Sequence, residues 1–163
     1  MQSFIRMYSR LCDWIERFIN GALVITLAAL IIVVSLQIFS RMMNASLLWT
    51  VDVGILLLIW STLLATGIGI RKNSHFVIDL WPEHWKRWST ILTFLSLVTI
   101  MVLSVCFLIE GTKYVLDVRG GTSGMAKIPL PVLYSALPVG GFLILLFSIE
   151  QLLKTVSGKE NIA

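Results

Sequence analysis

Residues 18–40, FINGALVITLAALIIVVSLQIFS, run uncharged from Phe18 to Ser40 between Arg17 and Arg41. The hydrocarbon core of a bilayer is about 30 Å thick, so a helix rising 1.5 Å per residue needs about 20 apolar residues to cross it. This stretch is long enough to cross once, and its reading sets the fold class. Working outward, two more uncharged stretches follow the same rule: Trp88–Ile109, between Arg87 and Glu110, and Ile128–Ile149, between Lys127 and Glu150. A fourth, Trp49–Ile70, carries one charge, Asp52, close to its start, where headgroup depth tolerates it.

Composition agrees with that reading. Hydrophobic residues make up 57% of the 163 and charged residues only 13%, against about 45–50% and about 25% in an ordinary soluble domain. Disorder demands the reverse balance. The expectation is an all-α polytopic membrane protein, a single membrane domain over 1–163 with spans at about 18–40, 49–70, 88–109 and 128–149. The first span exceeds the 7–15 apolar residues of a signal peptide and is expected to be retained.

Short loops rich in Lys and Arg stay on the cytoplasmic side. The two ends and the middle loop carry Arg6, Arg10, Arg17, Arg71, Lys72, Lys86, Arg87, Lys154 and Lys159, while the other side carries Arg41, Lys113, Arg119 and Lys127. Both termini are therefore expected in the cytoplasm, with 150–163 as a cytoplasmic tail. Basic residues beside a membrane answer to anionic or zwitterionic lipid headgroups, so the net charge of +4 calls for no nucleic acid. Cys12 and Cys106 fall on opposite sides of the bilayer and are not expected to pair.

The pieces between spans have patterns of their own. Over residues 4–19, Phe4, Ile5, Tyr8, Leu11, Cys12, Ile15, Phe18 and Ile19 recur at helical spacing opposite Arg6, Arg10, Asp13 and Arg17. This predicts an amphipathic helix over 1–17, lying in the inner headgroup plane and running into the first span. In the middle loop, Trp81, Trp85 and Trp88 share one face of a short interfacial helix opened by Pro82. Lys86 and Arg87 reach lipid phosphates from the same turn. On the outer side, Glu110–Val118 continues the third helix outward until Gly120, Gly121, Ser123 and Gly124 break it, and Pro129 and Pro131 open the last span. Pro138, Gly140 and Gly141 predict a kink and a close-packing surface there.

No catalytic, cofactor or metal site is expected. His75 and His84, the only histidines, lie in the middle loop at a spacing unlike a zinc motif, and no histidine stands inside a span to hold haem. Carriers keep ionisable groups near the bilayer midplane or use paired broken helices whose ends bind the substrate, and for these the chain offers Asp52, Gln37 and Pro138. Asp52 sits three residues after Trp49 at a helix start and is expected to pair with Arg41 across the first hairpin. An autonomous four-helix carrier using Asp52 is the alternative function.

The run from Arg41 through Leu48-Trp49-Thr50-Val51-Asp52, Trp60, Gly67-Ile68-Gly69-Ile70-Arg71 and His75-Phe76-Val77-Ile78-Asp79, followed by Lys127-Ile128-Pro129-Leu130-Pro131 and Tyr134-Ser135-Ala136-Leu137-Pro138-Val139-Gly140, resembles a known pattern. It is similar to the small membrane subunit of tripartite ATP-independent periplasmic (TRAP) transporters, the DctQ-like family. Where that family often carries two acids after the tryptophan, this chain has Val51-Asp52, and where a glycine often precedes the histidine it has Asn73-Ser74. The resemblance implies a bacterial inner-membrane complex. In it a periplasmic binding protein delivers an organic acid to a large elevator subunit coupled to sodium, and the small subunit assists without catalysis. On that reading Trp81, Trp85, Trp88, Lys86 and Arg87 anchor the inner edge, and Arg41 and Asp52 pin the outer hairpin. Trp60, Gly67, Pro138, Gly140 and Gly141 face the large subunit, Lys113, Arg119 and Lys127 meet the binding protein, and His75 and Asp79 tie the inner loop.

Overall fold

The computed structural model describes residues 2–45, 47–72 and 86–156. Among them the chain forms α1 (Gln2–Met42), α2 (Trp49–Arg71), α3 (Lys86–Asp117), α4 (Leu130–Tyr134) and α5 (Ala136–Val156). Four stretches are long and apolar enough to cross a membrane: Met7–Met42, Trp49–Arg71, Leu95–Asp117 and Leu130–Leu153. The all-helical, four-span class is the one expected, and α3 runs on past Glu110 to Asp117 as the sequence predicted.

The packing order is α1, α2, α5, α3. α5 lies between α2 and α3, α1 rests on α2 and touches α5, and α3 meets neither α1 nor α2 among the described residues. The result is an open layer. Small residues explain why α5 occupies the middle. A methyl group added to Gly140 would stand 2.9 Å from Leu63 Cβ, and one on Gly67 3.5 Å from Leu143 Cβ, so α2 approaches closely. On the other flank, a Cβ on Gly141 would lie 3.0 Å from Ser104 O and Leu108 N, and one on Gly111 3.1 Å from Pro138. Without an aqueous hydrophobic effect, helices in lipid associate through such close backbone contacts.

One core cluster joins Cys12 and Ile19 of α1, Leu64 and Ile68 of α2, and Leu143 and Phe147 of α5. It sits toward the end of the layer where α1 begins and α5 finishes, called here the terminal end; the opposite end, with the α1–α2 and α3–α4 connections, is the loop end. Toward the loop end α1 leaves Ile25, Ile31, Ile32 and Phe39 exposed. Such a surface is untenable in water and ordinary in lipid.

One expectation is corrected, and the kink expected from Pro138 is present. The segment 1–17 is no separate helix in a headgroup plane. It is the first part of one unbroken 41-residue helix, about 60 Å long, whose Tyr8, Cys12, Ile15 and Ile19 face goes into the bundle. Trp14 and Phe18, stacked on one another, stay outside. Neighbouring helices cover Tyr8, Cys12, Ile15 and Ile19, while Leu11 and Phe18 of the expected stripe stay exposed. The last span, in turn, is interrupted at Ser135, three residues before Pro138. Pro138 has no N–H for the carbonyl of Tyr134 and its ring crowds that carbonyl, so the break falls one turn upstream of the proline.

Candidate functional site

Charge is gathered at the two ends of the layer. At the terminal end Arg71, the last residue of α2, is the hub. Its side chain is 6% exposed, and it pairs with Asp13 and Glu16 of α1 and with Glu150 of α5. Nε donates to Glu150 Oε2 at 2.8 Å, Nη1 to Glu16 and Nη2 to Asp13, so the three sides of one guanidinium fork are divided among three carboxylates. Nη2 also reaches Glu150 Oε1 at 3.3 Å, and the guanidinium carbon lies 5.6 Å from the centre of the Phe147 ring. Only Arg offers this planar set of donors.

The hub is fastened at its rim. Ser9 Oγ donates to Glu150 Oε1 at 3.1 Å, Tyr8 OH donates to Leu146 O at 3.0 Å, and Lys72 lies 3.6 Å from Glu16. Gln151 Nε2 donates to Ile70 O at 3.2 Å and Arg71 O at 2.9 Å, satisfying carbonyls that the end of α2 would otherwise leave open. Glu150 is 3% exposed, Glu16 19% and Asp13 62%, so the pairing is buried at its α5 side and open to the surface at Asp13. The cluster can bind three helices together; among the described residues no group of three His, Cys, Asp or Glu is placed for a metal.

At the loop end Asp52 is the second centre. It is not paired with Arg41 among the described residues, contrary to expectation. Its Oδ2 accepts the backbone N–H groups of Met125 at 2.9 Å and Ala126 at 2.8 Å, and its carboxylate also bonds the Ser123 side chain. Two consecutive amides converging on one carboxylate oxygen make charge-assisted hydrogen bonds and satisfy a polar turn. The loop they belong to is closed at its base, where Ser123 N–H donates to Ile128 O at 2.7 Å and Leu130 N–H to Gly121 O at 3.0 Å. Lys127 takes a left-handed backbone, φ 51°.

The remaining expectations divide cleanly. Gly67, Gly140, Gly141 and Pro138, expected against a partner, are occupied by contacts within the chain. Trp60 is likewise turned inward: its Nε1–H donates to Val132 O at 3.2 Å, the carbonyl that Ser135 Oγ also uses beside the helix break. Trp60→Phe is expected to cost about 1 kcal/mol or less, because the Ser135 hydroxyl still serves that carbonyl; thermal unfolding of the detergent-purified chain checks it. Lys113 is paired with Glu110 at 2.7 Å one turn away, whereas Arg41, Arg119 and Lys127 are exposed and make no ion pair among the described residues. Lys86, Arg87 and Trp88 stand in the first turn of α3, with side chains that are not described. His75, Asp79, Trp81 and Trp85 lie outside the described residues.

Sequence reasoning missed the Arg71 hub. Asp13, Glu16, Arg71 and Glu150 each looked like an ordinary charge flanking a span, and 55 to 79 residues separate Arg71 from Glu16 and Glu150. The available signal was opposite charge at one depth on one side: Arg71 closes the second span and Glu150 the fourth.

No curated protein matches the chain significantly. A family model described as the DctQ component of tripartite ATP-independent periplasmic transporters matches residues 30–158, which takes in the later part of α1 and every helix after it. With four apolar helices, charge held at both ends and that match over most of its length, the chain belongs to the DctQ family and is a small membrane component of a TRAP transporter.

Proposed function

We propose that the chain is a non-catalytic scaffold of its transporter, widening and anchoring the static part of a large elevator subunit while that subunit performs sodium-coupled uptake of an organic acid. The observation that carries this reading is the distribution of charge. Every described charged side chain of the core helices lies near an end of the layer, as Asp13, Glu16, Arg71, Lys72 and Glu150 do at one end and Arg41, Asp52, Glu110 and Lys113 at the other. A carrier keeps such groups near the midplane or builds its site from paired broken helices, and among the described spans only the last is interrupted. An open layer has two broad apolar faces, one to lie against the large subunit and one to meet lipid. The excess of Lys and Arg on the terminal side supports an inner-membrane orientation with both termini cytoplasmic. Trp81, Trp85, Trp88, Lys86 and Arg87 are then inner-edge lipid anchors, with His75 and Asp79 in the same loop.

The loop end then faces outward, where Arg119 and Lys127 are available to the binding protein. The alternative, a carrier built on Asp52, is disfavoured because that carboxylate is already engaged by two amides and a hydroxyl. Reconstitution separates the two. The chain alone in proteoliposomes is expected to move no labelled organic acid under a sodium gradient, and uptake is expected only when the large subunit and the binding protein are both supplied. Sodium-driven uptake by the chain alone would overturn the scaffold in favour of the carrier.

A further inference from the structure

Where α3 leaves the hydrocarbon at the loop end it borders a cleft of about 640 Å³. Small-molecule sites occupy about 300–1,000 Å³, so a headgroup and the start of a chain have room here. The floor lies where α3 meets α5. Gly111 is buried there, and a Cβ added to it would stand 3.0 Å from Leu137 Cβ.

One wall is a single face of α3, on which positions 107, 110, 114 and 117 follow one another at a turn or slightly less. Its character changes along its length. Phe107, with Leu137 across the cleft, belongs to the uncharged span that ends at Ile109. Glu110, Lys113 and Tyr114 come next, and Asp117 stands about 10 Å beyond Glu110 along the axis. Tyr114 is braced by Tyr134, edge to face with 4.7 Å between ring centres. A headgroup layer is about 5–8 Å deep on each side of the hydrocarbon. The cleft is therefore apolar at the depth of acyl chains and ionic at the depth of headgroups, the polarity profile of an amphiphile.

The charges select among amphiphiles. Two carboxylates, Glu110 and Asp117, stand against one ammonium, Lys113, so an anionic headgroup meets an excess of its own sign. Lys113 lies 2.7 Å from Glu110, but the two side chains are 66% and 69% exposed, and an ion pair so open yields to a competing one at little cost. A headgroup carrying both an ammonium and a phosphate fits that pair as a second dipole, its cation on the carboxylates and its phosphate on Lys113. A primary ammonium donates three N–H bonds to carboxylate oxygens, whereas a quaternary one donates none.

We propose that this cleft is a phospholipid site selective for a primary-ammonium headgroup of the ethanolamine type, with Glu110 and Asp117 taking the ammonium, Lys113 the phosphate, and one acyl chain descending past Phe107 and Leu137. The site goes beyond the scaffold role and does not depend on it, since it requires only that α3 cross the bilayer. Its occupant fixes the depth of α3 at the loop end.

The test titrates the delipidated full chain in detergent with dioleoyl phospholipids bearing ethanolamine, choline or glycerol headgroups, with bound lipid counted by native mass spectrometry. The first ethanolamine lipid is expected to bind about fivefold or more tightly than either of the others. Glu110→Gln with Asp117→Asn is expected to erase that preference while the lipid-free chain melts as wild type, and Glu110→Gln alone, at an exposed position, carries the test should the double variant fail to fold. A wild-type chain indifferent to headgroup, or a preference that survives the substitutions, would overturn the site. Location is read separately, with an ethanolamine phospholipid carrying a diazirine in its acyl chain. Crosslinks are expected in the segment from Phe107 to Asp117, both in the chain alone and in its complex with the large subunit. Crosslinks confined to other segments would overturn the proposal, and so would their disappearance from this segment on assembly, which would give the cleft to the large subunit.

Discussion

Replacing Arg71 by glutamine is expected to destabilise the chain by about 3–5 kcal/mol, the range for removing one partner from a buried ion pair. The reason is what stays behind. Glu150, 3% exposed, would lose the guanidinium that meets its buried carboxylate, and Glu16 would retain Lys72 at 3.6 Å and the Asn20 amide at 3.5 Å. Because α1, α2 and α5 meet at this group, the loss is expected to appear as a large fall in thermal midpoint and in the yield of monodisperse protein. Arg71→Lys keeps the charge but brings a compact ammonium in place of a planar fork, and three carboxylates on three helices do not converge on one point. It should recover only part of the loss. Glu150→Gln is expected to be milder than either, since Arg71 would still hold Asp13 and Glu16. If Arg71→Gln melted within about a degree of wild type, the hub would be ornamental.

The second large effect is expected at Gly141. Its α-carbon faces the backbone of α3, with Ser104 O, Leu108 N and Phe107 Cβ all 3.0 Å from where a Cβ would stand. Backbone atoms cannot rotate out of the way. Gly141→Val is expected to force α3 and α5 apart and cost about 1–3 kcal/mol or more, the range for overpacking a filled site. Gly140 faces the other neighbour, α2, where an added Cβ would stand 2.9 Å from Leu63 Cβ, an atom fixed by its own backbone, and 3.2 Å from Cδ2. Gly140→Ala should cost about as much as Gly141→Ala, but part α5 from α2 and not from α3. Engineered disulfide yield between α3 and α5, compared in the two variants, reads the separation directly; equal yields would contradict the account.

The class of fold was legible because span length and charge placement are properties of single segments. Phe18–Ser40 announces itself without reference to anything else, and so do the ends of the other three spans. What stayed hidden depends on pairs. The apolar stripe from Tyr8 to Ile19 does not say what covers it, since a lipid headgroup layer and a helix pair such as α2 and α5 satisfy the same periodicity, and the bundle takes Tyr8, Cys12, Ile15 and Ile19 but leaves Leu11 and Phe18 exposed. Asp52 was recognisable as a charge at a helix start, and Arg41 was its nearest cation along the chain. Its actual partners are backbone amides 73 and 74 residues away, and every residue type supplies those. Glycines in the last span signalled close approach correctly. Whether the approaching helix belongs to this chain or to another is a question their identity does not address, and here the chain supplies it on both sides.

The unbroken course of α1 sets a constraint of a different sort, on insertion and deletion. One helix carries Asp13 and Glu16 to the Arg71 hub and, more than twenty residues later, delivers the chain to the turn that starts α2. Adding a single residue between those points would rotate everything beyond it by about 100° and advance it by about 1.5 Å. Seven residues would nearly restore the azimuth but lengthen the rod by about 10 Å, a third of the hydrocarbon thickness. Phase forbids small changes and reach forbids the larger one that would repair the phase, so the number of residues in this segment is fixed more tightly than their identities.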